Sequence, residues 1–227
     1  DIKFYGEGAK CWNNDVISSF DKPFKEAAGL CVLYGNLAPR GAILKPSAAS
    51  DHLLEHEGEA YVFESIEEMK DTINNEDLPV TKDSVLVLKG CGPKGYPGMA
   101  EVGNMPIPAK LVKEGVRDMV RVSDARMSGT AFGTVILHVT PEAQEGGTLA
   151  FVKTGDRIRV SAEKGILELL VEQEEIDKRR ESWIPTPSRY TRGYAKMYYD
   201  HVLQADQGAD LDFLVGKDTK PITRESH

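Results

Sequence analysis

The sequence predicts a mixed α/β domain with a β-barrel-like core and helices packed around it. Three observations support this fold class. Short apolar runs bounded by Gly, Pro or polar residues recur along the chain, as strands do. Beyond Pro141, the runs are separated by tight-turn signals, which are typical of consecutive antiparallel strands. Strands and short helices are mixed without the regular rhythm of a doubly wound sheet.

The strand predictions follow the apolar runs in order. After an irregular, partly helical lead-in over residues 1–30, strands are expected at residues 31–34, 42–44, 60–63, 84–88, 119–122 and 134–139. The run at 84–88 is continuously apolar, which predicts a strand buried on both faces. A β-meander is expected from three later runs, at residues 149–152, 157–160 and 166–171.

Four helices are expected from capping signals and periodicity. Ser65 and Glu68 form a capping box ahead of an apolar helical face, which predicts a helix at residues 66–73. The other three helices are expected at residues 108–114, 172–181 and 190–205. These elements place one domain at residues 31–205, with a polar tail at residues 206–227.

Composition narrows the class of protein. The chain has 227 residues, of which 41% are hydrophobic and 28% charged, as in an ordinary globular domain. Its net charge of -8 disfavours nucleic acid and anionic membrane surfaces as partners. No apolar run approaches the length of a membrane span. The three cysteines, Cys11, Cys31 and Cys91, show neither a disulfide framework nor a paired metal motif, which predicts a reducing, cytoplasmic location.

A glycine-rich segment at residues 90–103 follows a predicted buried strand. It holds five glycines and two prolines, and Glu101 is its only carboxylate. Glycine permits another group to approach the backbone closely, and such loops often carry binding sites. An ordinary surface loop with a solvated Glu101 is the alternative. A general phosphate-binding loop is disfavoured because neither the GxxxxGK[ST] pattern nor the GxGxxG pattern is present.

The stretch Ser-Asp-Ala-Arg-Met-Ser-Gly-Thr at residues 123–130 follows another predicted strand. The Ser128 hydroxyl would need activation before it could act as a base or nucleophile. The nucleophile-elbow pattern of hydrolases is not present. Residue types alone favour a polar turn in which Asp124 and Ser128 accept hydrogen bonds from backbone N–H groups.

Two further groups of side chains could bind a ligand. Arg40 and Lys45 follow a predicted strand and could supply positive charge to an acidic ligand, although such cations are more often solvated. The histidines form no convincing metal set. His138 lies in an apolar strand and is expected in the core, while His227 ends the chain.

Four segments, taken in order, carry a family resemblance. They are Tyr-Gly-Asn-Leu-Ala-Pro-Arg-Gly-Ala from residue 34, Gly-Cys-Gly-Pro-Lys-Gly-Tyr-Pro-Gly-Met-Ala-Glu from 90, the stretch at 123–130, and His-Val-Thr-Pro-Glu-Ala from 138. This combination resembles the dihydroxy-acid dehydratase and 6-phosphogluconate dehydratase family, over about residues 31 to 170. The version Ala-Arg-Met-Ser-Gly-Thr-Ala-Phe-Gly from residue 125 looks most like the sugar-acid branch, such as L-arabinonate or D-xylonate dehydratase.

The resemblance implies a dehydratase activity and an N-terminal domain that this sequence does not include. Enzymes of this family remove water from a 2,3-dihydroxy acid, giving a 2-keto-3-deoxy acid, with an iron–sulfur cluster and Mg²⁺. The chain looks like their C-terminal, barrel-containing domain, which is related to the swivelling domain of aconitase-type enzymes. The cluster cysteines and most metal ligands would then lie in an N-terminal domain absent here, so the chain alone is expected to be inactive. The sugar-acid resemblance favours a [2Fe-2S] cluster, and relatives suggest a homodimer or homotetramer.

The same resemblance implies roles for particular residues. Glu101 matches an oxygen ligand of Mg²⁺. Ser128 matches the residue that takes the C2 proton, for which metal charge would have to stabilise its alkoxide. Thr130 matches a neighbouring hydroxyl that positions the substrate or the base. Further candidates for substrate binding are Arg126, Met127, Gly129 and His227.

Other functions stay open at this point. The substrate could instead be a branched dihydroxy acid or 6-phosphogluconate, which belong to the same family. The chain could also be a non-catalytic domain used for assembly or regulation.

Overall fold

Eight strands form the framework of the chain in a computed structural model that describes residues 11–26, 29–129 and 131–216. The strands are β1 (Cys31–Leu33), β2 (Gly41–Leu44), β3 (Glu55–Phe63), β4 (Val85–Leu88), β5 (Arg121–Ser123), β6 (Val135–Thr140), β7 (Arg157–Ser161) and β8 (Ile166–Leu169). They lie in one sheet in the order β1-β2-β6-β5-β4-β3-β7-β8. The strands from β3 to β6 pair in parallel, and the remaining pairs are antiparallel.

Four short α-helices accompany the sheet, as predicted: α1 (Ile66–Thr72), α2 (Ala109–Lys113), α3 (Gln173–Ser182) and α4 (Gly193–His201). The capping box is confirmed, since the Ser65 hydroxyl accepts a 3.1 Å hydrogen bond from the Glu68 N–H. The Glu68 carboxylate accepts from the N–H of Glu64, one residue before the cap. The last helix is shorter than the predicted 190–205. Among the described residues, no helix is long and apolar enough to cross a membrane.

The predicted β-meander is wrong in its first member. The run at residues 149–152 belongs to a 3-10 helix (Thr148–Phe151), and the other two runs of the predicted meander, β7 and β8, form an antiparallel hairpin. A four-residue apolar run has no readable period, so burial alone does not distinguish a strand from a helical turn. The other neighbour of β7 in the sheet is β3. The first half of β3 pairs with β7, and its second half pairs with β4.

The first and last strands of the sheet meet beyond the end of β1. The Tyr34 N–H donates to the Gly165 carbonyl at 2.8 Å, and the Leu167 N–H donates to the Tyr34 carbonyl at 2.8 Å. The Asn36 side chain accepts from the N–H of Leu169 and donates to its carbonyl. These bonds form a seam that closes the sheet into a barrel, so the predicted mixed α/β fold with a barrel-like core is confirmed.

The barrel interior and the outer layer are two separate apolar cores. In β4, Val85 and Val87 belong to the interior cluster, whereas Leu86 and Leu88 pack with the side chains of α1. The prediction that this strand is buried on both faces is therefore confirmed. His138 does not belong to the core as expected, because it lies at a bulge of β6, with φ of 52°, and is only half-buried.

The seam generates a prediction about stability. Gly35→Ala should lower the free energy of unfolding of the 227-residue chain by about 1–3 kcal/mol, because a Cβ there would lie 2.0 Å from the Leu167 carbonyl oxygen. Urea unfolding measures this loss. Gly29→Ala is the matched control, since its Cβ has no neighbour within 4 Å, and it should change stability by less than about 0.5 kcal/mol. Equal losses in the two variants would show that the seam contributes nothing to stability.

Candidate active site

Three loops meet at one edge of the sheet. They are the glycine-rich segment (residues 90–103) after β4, the turn at residues 124–129 after β5, and the loop at residues 141–145 after β6. These strands are parallel, so their carboxyl ends lie side by side. Three of the four segments that carry the family resemblance are therefore brought together by the direction of the strands.

Asp124 joins all three loops through its carboxylate. One oxygen, Oδ1, accepts from the Cys91 N–H at 2.8 Å, and the other, Oδ2, accepts from the Ala143 N–H at 2.9 Å and the Gly90 N–H at 3.3 Å. The side chain is buried, with 1% of the residue exposed. The expectation that Asp124 accepts from backbone N–H groups is confirmed, but these groups belong to neighbouring loops and not to its own turn.

Glu142, in the loop after β6, is a second buried carboxylate. Its Oε2 accepts from the Gly95 N–H at 2.8 Å, and its Oε1 accepts from the Lys94 N–H at 3.0 Å and from the Gln204 side-chain amide at 2.6 Å. A Cβ on Gly92 would lie 2.6 Å from Oε2 of Glu142, so glycine is needed there. The amides of the glycine-rich segment therefore bind the protein's own carboxylates.

Burial perturbs the pKa of both acids. Burial, together with the negative charge of Glu142, raises the pKa of Asp124 to about 7, although the three N–H donors act in the opposite direction. Burial also raises the pKa of Glu142. The sequence offered one signal for Glu142, which is its place in the His-Val-Thr-Pro-Glu-Ala segment, but no chemical role was predicted for it.

Arg126 binds the far end of the glycine-rich segment. Its Nη1 lies 3.0 Å from Oε1 of Glu101, and its Nε donates to the Met99 carbonyl at 2.6 Å. Its own carbonyl accepts from the Gly103 N–H at 2.8 Å. Two residues predicted separately, as a metal ligand and as a substrate contact, thus form an exposed ion pair.

The Ser128 turn lies beside this ion pair in sequence and at the same sheet edge. Ser128 and Met127 are half-buried, and Gly129 is exposed. Lys45 donates from Nζ to the Gly129 carbonyl at 2.6 Å, so this cation does reach the turn. The other cation of its segment, Arg40, instead pairs with Asp206 at 2.7 Å.

Two predicted site residues, Thr130 and His227, lie outside the described residues.

Part of the edge is exposed to solvent among the described residues. The cavity behind the glycine-rich segment has a volume of about 290 Å³. It is lined by side chains that include Lys94, Tyr96, Arg189 and Tyr199, and by none of the described residues that were predicted to act in the site. Glu101 and Arg126 are exposed at this edge, and Ser128 is half-buried there.

Comparison with known proteins assigns these loops to a family. A family model described as the C-terminal domain of dihydroxy-acid and 6-phosphogluconate dehydratases matches residues 15–209. The chain belongs to this dehydratase family. The resemblance carried by the four sequence segments is confirmed.

Three relatives in the dehydratase family cover nearly all of the chain. The protein named Putative dehydratase IlvD1 in Rhizobium meliloti (strain 1021) is 65% identical over 226 residues, which is 100% of this chain and 39% of the relative. L-arabonate dehydratase of Azospirillum brasilense is 53% identical over 222 residues, 95% of this chain and 38% of the relative. 6-Deoxy-6-sulfo-D-gluconate dehydratase of Pseudomonas putida is 45% identical over 216 residues, which is 94% of this chain and 37% of the relative. The chain thus spans less than two fifths of these relatives' length.

The described part of this dehydratase chain does not fit an iron–sulfur cluster. Cys91 is buried, and burial raises the pKa of its thiol well above the usual range, which disfavours the thiolate that a cluster needs. Cys11 is exposed and Cys31 half-buried, and the three thiols are free. No group of three His, Cys, Asp or Glu side chains suited to a metal ion occurs among the described residues. Glu101 offers one hard oxygen ligand, so a Mg²⁺ site would need ligands from elsewhere.

The pair of buried acids generates a prediction for pH titration. The Asp124 carboxyl carbon, followed by NMR, should titrate near pH 7, and its midpoint should fall in Glu142→Gln because a neighbouring negative charge is removed. Glu76→Gln, at an exposed acid that pairs with Lys113, should leave the midpoint unchanged.

The sign of the stability effect follows from the same shift. The folded chain keeps on Asp124 a proton that the unfolded chain loses at about pH 4. Ionisation of this group therefore lowers stability as the pH rises from about 4 to about 7. A midpoint near pH 4 in the wild-type chain would contradict the burial argument.

Proposed function

We propose that this chain is the C-terminal domain of a sugar-acid dehydratase that converts an aldonate such as L-arabinonate to its 2-keto-3-deoxy acid. The observation that carries the proposal is the meeting of Glu101, Arg126 and the Ser128 turn at one open sheet edge. The names of two relatives, at 53% and 45% identity, support a sugar acid as the substrate.

The reaction needs a base for the weakly acidic C2 proton. In the proposed mechanism, the ionised Oγ of Ser128 takes the C2 proton, and the C2–C3 double bond forms as the C3–O bond breaks. The departing hydroxide takes a proton back from the Ser128 hydroxyl and leaves as water, and the resulting enol tautomerises to the ketone. A serine hydroxyl is too weak a base by itself, so nearby positive charge must stabilise its anion. Lys45, bound to the carbonyl of the next residue, Gly129, brings one cation to this turn.

Arg126 and Glu101 would orient the anionic substrate. A guanidinium binds carboxylates well, so Arg126 suits the acid group of an aldonate. Glu101 would provide an oxygen ligand for Mg²⁺, which, when bound, stabilises the negative charge that develops next to the substrate carboxylate. The cluster and the other metal ligands would come from the part of the enzyme that this chain does not include, together with a covering for the open edge.

The proposal predicts the effect of Ser128→Ala in the full-length enzyme. With cluster content matched to the wild type, kcat for the keto acid should fall about 10²–10⁴-fold, because the base is lost. A keto-acid assay over a panel of pentonates and hexonates measures this and also names the substrate. Ser182→Ala, at an exposed serine at the end of α3, is the control and should keep full activity.

Each alternative has its own outcome in this assay. Turnover that survives Ser128→Ala would show that the base lies elsewhere. A wild type that acts on branched dihydroxy acids or 6-phosphogluconate, and on no aldonate, would reassign the substrate. A full-length protein inactive on every acid would favour an assembly or regulatory domain.

A further inference from the structure

On the basis of the proposed function, we propose that Asp124 and Glu142 are positioning residues for the dehydration. They would hold the glycine-rich segment in place and so keep Glu101 beside Arg126 and the Ser128 turn. Neither acid lies on the exposed edge, so each would act through the backbone that it binds and without touching the substrate.

The two carboxylates account for a dense set of backbone hydrogen bonds. Asp124 accepts from Gly90 and Cys91, and Glu142 accepts from Lys94 and Gly95. Four amides within six consecutive residues are thus bound by two buried acids. The first half of the glycine-rich segment is therefore anchored by hydrogen bonds to side chains that follow β5 and β6.

Packing leaves this half little freedom to move. Gly92 lies against the Glu142 side chain, where a Cβ would come 2.6 Å from Oε2. A Cβ on Gly95 would lie 2.6 Å from the Gly90 carbonyl oxygen. Glycine is therefore required at residue 92 by the close approach to Glu142, and at residue 95 by the close approach of the segment to its own backbone at Gly90.

The second half of the segment connects the anchored first half to the candidate active site. It ends at Met99, Glu101 and Gly103, which all contact Arg126. Arg126 follows Asp124 by two residues in the same turn, ahead of Ser128. The five residues from Asp124 to Ser128 therefore bind the glycine-rich segment at its start and at its end, and they include the proposed base.

Asp118 provides a matched control. It is also a buried carboxylate, and it accepts from the N–H groups of Thr134 at 2.8 Å, Met119 at 2.9 Å and Ser50 at 3.1 Å. It lies before β5 and pairs with Arg121, at the end of the strand away from the Ser128 turn. Its ion-pair partner, Arg121, binds Asn104 and the Met105 carbonyl, just beyond the end of the glycine-rich segment. Replacement of Asp118 should therefore cost stability but leave in place the first half of the segment, which Asp124 and Glu142 bind.

The test compares Asp124→Asn, Glu142→Gln and Asp118→Asn in the full-length enzyme, each at wild-type cluster content. Each amide keeps one oxygen acceptor but presents an NH₂ donor where a carboxylate accepted. Hydrogen exchange of peptides from residues 90–103, kcat, KM and the Mg²⁺ concentration for half-maximal activity are measured. If Asp124→Asn does not fold, the test compares Glu142→Gln with Asp118→Asn.

The two site variants should speed exchange in residues 90–103 and lower kcat about 10–100-fold, with a smaller change in the KM of the sugar acid. The Mg²⁺ requirement should rise, since Glu101 is displaced. Asp118→Asn should leave all of these values near those of the wild type, even with a lower melting temperature.

Two results would overturn the inference. One is unchanged exchange of residues 90–103 in both site variants. The other is a loss of kcat in Asp118→Asn as large as in the site variants, since the effect would then reflect general destabilisation. Faster exchange in a protein whose wild type is inactive on every acid would instead overturn the proposed function, and it would still support the anchoring by the two carboxylates.

Discussion

The burial of two carboxylates at the ends of parallel strands is the constraint on which the candidate site depends. Removing a carboxylate from water is costly unless hydrogen-bond donors replace the water. Here many of the donors are backbone amides of the glycine-rich segment, which comes close to the Glu142 side chain because Gly92 has no Cβ. The composition of that segment thus follows from the acids that it surrounds, and it requires no bound phosphate or other anion.

The barrel supplies the geometry that this arrangement needs. Parallel pairing of β4, β5 and β6 places three loops at one edge, and the seam at Tyr34 closes the sheet on the far side. The resulting edge presents Glu101, Arg126 and the Ser128 turn on an open surface. The chain that forms this edge spans less than two fifths of the length of its dehydratase relatives.

Most of the fold was predictable from local patterns, and the failures have physical reasons. The capping box at Ser65 and the doubly buried strand β4 depend on neighbours in sequence, and both were found. Residues 149–152 were taken for a strand because four apolar residues do not reveal a period. His138 was expected in the core, but a bulge in β6 changes the direction of its side chain, and bulges leave little trace in a sequence.

The sequence by itself determined the fold class, most of the strands, the family and the segments that carry the candidate site. These depend on short patterns and ordered motifs, which are readable without knowledge of distant contacts. Only the tertiary structure decided that Asp124 bonds to loops after other strands, that Glu142 is its buried neighbour, and that Arg126 pairs with Glu101. Those contacts join residues about 20 to 50 positions apart, and strand pairing rather than local sequence brings them together.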